Sequence, residues 1–471
     1  MRSGAFSADD DAVNTRPRTT SAVALALAVT LLPAASANAA PDGDRIPVGD
    51  ATVSGPIPGT APGDRLSPVL EDTYPFFSTP DDLAGAGYVE QEFYLSGTAD
   101  GWDTQGHRIA TGVAYKTRIV VRRPVSDRAF NGTALVEWQN VTAGYDLDAL
   151  WNGDAITRAG YAWIGVSAQR VGVNQLRGWS PVRYGGLDVT GGGQFSADEL
   201  SYDIFAQAAK AIRSPGAAAP MGGLGVRTVL AIGASQSAGR MTVYYQSVLP
   251  AVEPVFDGYA FIVGTAPTRV GDEPVFQVLS ETDVRTPVRP SPDTDQFRRW
   301  EVAGGAHSGW RGQEYRMPIS VRDLGAAPVY NCTLPPFSRV PVHHTTAAAY
   351  DHLVRWVRTG TPPPAAEPLR FNPDGTKARD EFGLALGGIR YSQVTVPTAL
   401  NTGDNSGPSF CLLFGTHQPF DEATLAQLYP NRGVYVSRVV LADLQNVHSG
   451  YLLPADAHAN LRDALASGVG R

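Results

Sequence analysis

Several short apolar runs, each too brief for a helix, alternate with stretches of helical period, and no other feature narrows the possible folds as much. Residues 228–232 (TVLAI), 259–263 (YAFIV), 275–279 (VFQVL) and 297–302 (FRRWEV) follow one another, after 134–138 (ALVEW) and 162–166 (AWIGV). A run of about five residues with little polar alternation reads as a strand buried on both faces, which requires a parallel sheet covered by helices. Helical patterns fall between the runs. Ser196-x-x-Glu199 has the form of a capping box, followed by Leu200, Ile204, Phe205, Ala208 and Ile212 on one face and a stop at Pro215. Residues 236–248 can form a second helix. Tyr350, Leu353, Val354 and Val357 predict a third, ended by Gly360 and Pro362-Pro363-Pro364. Two looser strand patterns, 88–95 and 115–121, come first. The class expected is α/β, with a mostly parallel sheet flanked by helices.

Beyond residue 313 the pattern changes to proline-containing loops with helical segments at 421–429 and 455–466. No linker composition separates this part, so residues 41–471 read as one domain with a core of about 88–312 and a C-terminal helical and loop layer over 313–471. At 471 residues, 43% hydrophobic and 18% charged, the chain can bury a large core. The net charge of −8 and the lack of Lys/Arg clusters argue against a nucleic-acid partner or an anionic membrane surface.

Residues 1–40 stand apart. Arg16 and Arg18 precede an apolar stretch over 22–32, then Pro33 and Ala37-Asn38-Ala39-Ala40, the pattern of a cleavable signal peptide. The stretch falls well short of the ~20 residues needed to span a bilayer, so no stable membrane span is expected. Export to an oxidising compartment leads us to expect that the two cysteines, Cys332 and Cys411, form a disulfide. No Cys/His spacing suits a metal, and neither a metal nor a cofactor is expected.

The chemistry concentrates in AIGASQSAGR, residues 231–240. The frame about Ser235 is G-x-S-x-S and that about Ser237 is S-x-S-x-G, each one residue away from the G-x-S-x-G nucleophile elbow. Such an elbow strains the serine backbone between a strand and a helix and needs small neighbours. Ser235 lies one tight turn beyond the apolar run, with Gly233 at −2; for Ser237, the strand would have to run on through Ala234 and Ser235, past a glycine and with the apolar run already finished. Ser235 is therefore the expected nucleophile, with Ser237 as the small residue at +2 and Gly239 allowing close packing of the helix on the sheet.

In the order serine, acid, histidine, the strand 275–279 leads into Ser280-Glu281-Thr282-Asp283, and the strand 297–302 leads to His307. Both follow strand ends at the carboxyl edge of the sheet, where Ser235 also sits. Asp283 is the first choice of acid and Glu281 the alternative. His448 is the rival histidine, but it follows a helical stretch. His107, His343, His344, His352, His417 and His458 read as surface or loop residues. The oxyanion donors expected are the N–H of Gln236 and, from the loop after ALVEW, the Val141 N–H or the Asn140 amide. Tyr145, Trp151, Trp179 and Trp310 are candidates for the acyl pocket.

VEWQNVTAGYD (136–146), GASQSAGR (233–240), SETD (280–283), RRWEVAGGAH (298–307), RWVRTGTPPP (355–364) and GGIRYSQVTVPTA (387–399) together resemble the alpha/beta hydrolase domain proteins with a GxSxSA elbow, a branch of the α/β-hydrolase superfamily. The likeness runs from about Gly87 to the last helix. It implies an α/β-hydrolase fold with a C-terminal elaboration and places Ser235 and His307 at triad positions. The function expected is a secreted serine hydrolase acting on a small-molecule carboxylic ester through an acyl-enzyme. The alternatives are an acyltransferase with the same triad and a non-catalytic binding protein on this fold.

Overall fold

A computed structural model of the chain describes residues 45–213 and 218–470. The expected signal peptide and the helix stop at Pro215 lie outside the described residues. Nine strands form one sheet: β1 (Thr52–Ser54), β2 (Tyr88–Trp102), β3 (Arg108–Pro124), β4 (Thr133–Trp138), β5 (Ala162–Val166), β6 (Thr228–Ala234), β7 (Gly258–Ile262), β8 (Val275–Ser280) and β9 (Phe297–Val302). Their order is β1-β2-β3-β5-β4-β6-β7-β8-β9. From β5 to β9 every pairing is parallel, and from β1 to β5 every pairing is antiparallel.

The apolar runs are strands because both faces of the sheet are covered. Ala134, Val136 and Trp138 of β4 point into one core with Phe205, Ala231 and Tyr259, while Leu135 points into the other with Trp163, Leu230, Ile232 and Phe276. Every residue of β4, β6 and β8 is buried. Fully burying a Leu or Val side chain stabilises by about 1.5–3 kcal/mol, so a polar substitution in these strands costs the fold directly.

Three details depart from the sequence expectations. The hairpin β2–β3 is longer than the two patterns suggested, because its distal half pairs with itself while carrying polar and glycine positions such as Gly97, Thr98 and Lys116. The helix predicted from the capping box begins at Ser201 (Ser201–Arg213). The carboxylate of Glu199 instead accepts the Ala197 N–H (2.9 Å), and Asp198 is held at φ +63° with its side chain on the Arg170 N–H (2.7 Å). Residues before 88 also enter the core: Tyr74, Phe76 and Phe77 are buried.

The helix Val342–Thr359 ends at Gly360 (φ +70°) and packs Tyr350, Leu353 and Val354 over β7 and β8. Beyond it come an antiparallel pair, β10 (Ala399–Thr402) and β11 (Thr416–Pro419), and the helices Glu422–Leu428, Arg432–His448 and Pro454–Ala466. Tyr429, Tyr435, Val439 and Ala464 join that last group through a small core of its own. Cys332 and Cys411 form the disulfide. Among the described residues, no helix is long and apolar enough to cross a membrane.

Candidate active site

β6 delivers Ser235 to the carboxyl edge of the sheet, as the residue before the helix Gln236–Val243. Its backbone has φ +56° and ψ −117°, a conformation costing on the order of 1–3 kcal/mol for a residue other than glycine. The surroundings hold it there. The Ser235 N–H donates to the Ile262 carbonyl at 3.0 Å. The buried Ser237 hydroxyl donates to the Ala234 carbonyl (2.9 Å) and accepts the Ala234 N–H (3.0 Å), closing the turn one residue before Ser235. A Cβ at Gly233 would lie 3.2 Å from Ala238 N, and one at Gly264 would lie 2.7 Å from Ala238 Cβ. Ser237 is thus a structural clamp as well as a small residue. The close packing expected at Gly239 occurs instead at Ala238, since a Cβ at Gly239 would meet nothing nearer than Thr265 Oγ1 at 3.9 Å.

The loops after β8 and β9 bring Asp283 and His307 together. Asp283 Oδ1 lies 2.6 Å from His307 Nδ1. Its Oδ2 accepts the Ser280 hydroxyl (2.6 Å) and N–H (3.1 Å), so the carboxylate is oriented from its own loop. The His307 N–H donates to Thr282 Oγ1 (3.2 Å), and the Thr282 hydroxyl donates to the Gly403 carbonyl (2.6 Å), tying both loops to the C-terminal layer. A carboxylate on Nδ1 keeps the proton there and leaves Nε2 as the basic nitrogen. Glu281 faces another way. It is fully buried, accepting the Gly304 N–H (2.7 Å) and Arg379 Nη2 (2.7 Å).

Gln236 N–H, at the first position of its helix, has no intrahelical acceptor. The Val141 N–H lies nearby, 3.4 Å from Gln236 Oε1. The Asn140 amide is committed elsewhere, with Nδ2 donating to the Ala234 carbonyl (2.9 Å) and Oδ1 accepting the Thr142 N–H (2.8 Å). It acts as a brace between the loop after β4 and the elbow.

Ser235, His307 and Asn140 border a cavity of about 760 Å³. Tyr145, Trp151 and Trp310 line it as expected; Trp179 does not. The Trp179 indole donates to the Asp323 carbonyl (2.9 Å) and packs on Tyr74 and Phe76 in the core. His343 and His344 also line the cavity, contrary to the surface reading. They occupy the first turn of Val342–Thr359, where burial holds the imidazole of His343 well below the ordinary range and that of His344 at about 4. Only the sheet-flanking position of that helix turns them inward, and the sequence carried no signal for it. His352 is partly buried, bound to the Gly450 carbonyl (2.9 Å), and His417 is partly buried against Asn401 (2.9 Å). His448 is exposed at the end of its helix and does not border the cavity. Among the described residues, no group of three or more His, Cys, Asp or Glu side chains is placed to hold a metal ion.

No curated protein matches the chain. Solved structures similar to it include one from an analysis of two prolyl endopeptidases (9% identity, TM-score 0.29, 48% of this chain and 36% of that one). A PNB esterase is similar at 16% identity and a TM-score of 0.21, over 32% of this chain and 29% of that one. The rice cell wall degrading esterase LipA from Xanthomonas oryzae is similar at 12% identity and a TM-score of 0.22, over 38% of this chain and 42% of that one. The matched part is thus less than half the length of each of these chains. The model of the alpha/beta hydrolase domain, by contrast, matches residues 53–462. A match with bounds in β1 and the last helix takes in the strained elbow, the loops after β8 and β9 and the C-terminal layer alike, and on it the chain belongs to the alpha/beta hydrolase domain family.

Proposed function

We propose that this protein is a serine hydrolase that cleaves carboxylic esters, with Ser235 as nucleophile, His307 as general base and Asp283 as its orienting acid. The observation that carries the reading is the 2.6 Å contact between Asp283 and His307, opening on the same cavity as the strained Ser235. In this mechanism His307 Nε2 takes the hydroxyl proton as Ser235 Oγ attacks the acyl carbonyl, and Asp283 stabilises the imidazolium. The N–H groups of Gln236 and Val141 hold the oxyanion, the Val141 N–H giving up its long contact with Gln236 Oε1. His307 then protonates the departing alcohol, and water attacks the acyl-enzyme by the same route in reverse. A cavity of this size suits a small molecule. Secretion after cleavage near Ala40 is part of the proposal, supported by the Cys332–Cys411 disulfide, which persists in oxidising compartments.

The test is to react the purified protein with a fluorophosphonate and map the adduct. We expect modification at Ser235, none in Ser235→Ala, and turnover of 4-nitrophenyl esters that Ser235→Ala and His307→Ala lack. Modification at Ser237, or activity surviving in Ser235→Ala, overturns the assignment.

A further inference from the structure

Arg316, on the helix Trp310–Leu324, borders the same cavity as Ser235 and His307. Its Nη2 donates to Ser308 Oγ at 2.8 Å, directly beside His307, and among the described residues no carboxylate pairs with it. The side chain is partly buried on the cavity wall, so a guanidinium with no carboxylate on it has donors left for an anion. Burial accordingly pushes Arg316 below its ordinary value. The charge of Asp148 opposes this; its Oδ2 is held by Arg122 (2.7 Å) and by the Tyr315 hydroxyl (2.6 Å), while its Oδ1 makes no hydrogen bond, to Arg316 or to any other described residue.

The sequence makes room for the guanidinium. Gly312 lies one turn earlier on the helix, and a Cβ there would come within 3.0 Å of Arg316 Nη1. The phenols of Tyr145 and Tyr330 both border the cavity and both feel the Arg316 charge. One partly buried cation and two phenols on the same cavity, that of Tyr145 also hydrogen-bonded to Ser320, form a receptor for a planar anion, and a guanidinium fits a carboxylate through two parallel hydrogen bonds.

We propose that the cavity is specific for esters that also carry a free carboxylate, bound by Arg316 with Tyr145 and Tyr330 while the ester carbonyl meets Ser235. The turnover arm of the test rests on the ester-hydrolase reading; the binding arm does not. The 4-nitrophenyl monoesters of succinate, glutarate and adipate are compared with methyl-terminated esters of equal length, and 4-acetoxybenzoate with phenyl acetate. At least one carboxylate ester is expected to exceed its neutral partner in kcat/KM by roughly 10- to 100-fold, mainly through KM, the range of a charge-assisted hydrogen bond. In Arg316→Gln the ratio falls to about one, and Arg316→Lys, which keeps the charge, retains part of it.

In the second arm, glutarate and benzoate are titrated calorimetrically. Both are expected to bind the protein and Ser235→Ala alike, and not Arg316→Gln, with thermal melting showing that each variant is folded. A carboxylate preference that survives in Arg316→Gln overturns the proposal. So does the absence of both preference and carboxylate binding. Binding of glutarate without any ester turnover or fluorophosphonate adduct supports the anion site and removes the hydrolase reading instead.

Discussion

Glu281 and Asp283 stand two residues apart on one loop, yet neutralising each is expected to damage a different property. Asp283→Asn preserves volume but removes the charge 2.6 Å from His307 Nδ1 and offers an amide N–H in its place. The imidazole is then driven to the wrong tautomer, which under the proposed mechanism costs about 10³- to 10⁴-fold in kcat. Stability should change little, because the Ser280 contacts can still be made to the amide oxygen. Glu281→Gln acts on the fold. Its two oxygens serve the Gly304 N–H and Arg379 Nη2, both at 2.7 Å, with the side chain wholly buried. Breaking a buried ion pair costs about 3–5 kcal/mol when the other partner is stranded. Arg379 is not stranded, since it is 26% exposed and also bonded to Asp404 at 2.5 Å, and glutamine keeps one acceptor. A loss of about 2 kcal/mol is therefore the reasoned value. At ~2.1 cal/mol/K per residue, a cooperative unit of roughly 400 residues would lose only about 2 °C in Tm, so chemical denaturation is the sharper assay. Turnover of 4-nitrophenyl acetate measured beside urea midpoints separates the two effects. The reasoning is refuted if Glu281→Gln abolishes turnover at an unchanged midpoint, or if Asp283→Asn retains more than about a tenth of kcat.

Three further outcomes follow from the same geometry. Ser237→Ala removes the hydroxyl that bridges the Ala234 N–H and carbonyl, while the N–H keeps its place in the β4–β6 ladder, and should cost about 0.5–1.5 kcal/mol, read from denaturant midpoints, while fluorophosphonate still modifies Ser235. The folded-state value of His344 is about 4, so as pH falls below ~6.5 the unfolded chain takes the proton first, and stability is lost progressively down to about pH 4. Because this imidazole is only partly shielded from solvent, about 1–2 kcal/mol is at stake, and His344→Gln should flatten the acid limb of a plot of urea midpoint against pH. Replacing Cys332 and Cys411 by serine frees a 79-residue separation, worth about 4–5 kcal/mol in the chain-entropy model, and should lower the melting temperature; an unchanged melt contradicts that model here.

The sequence by itself determined the strands of the parallel half of the sheet and the strand–turn–helix around Ser235. Runs such as TVLAI and VFQVL are buried on both faces, and burial of that kind leaves a signal in composition that needs no partner to be read. Ser235 was legible for a similar local reason, since strand, small residues and helix adjoin one another in the chain. The choice between Asp283 and Glu281 was not legible. Both are acids on one loop, and only Gly304 and Arg379, from other parts of the chain, draw Glu281 away from His307. The inward placement of His343, His344 and Arg316 likewise came from tertiary packing. A helix pattern shows which face is apolar but not what its polar first turn will meet, and here helices from the C-terminal part fold back over the strand ends and turn polar groups into a cavity. Local pattern fixed what each segment is; the three-dimensional neighbours fixed which of several chemically equal side chains meets the site, because those neighbours are far away in sequence and leave no periodic mark.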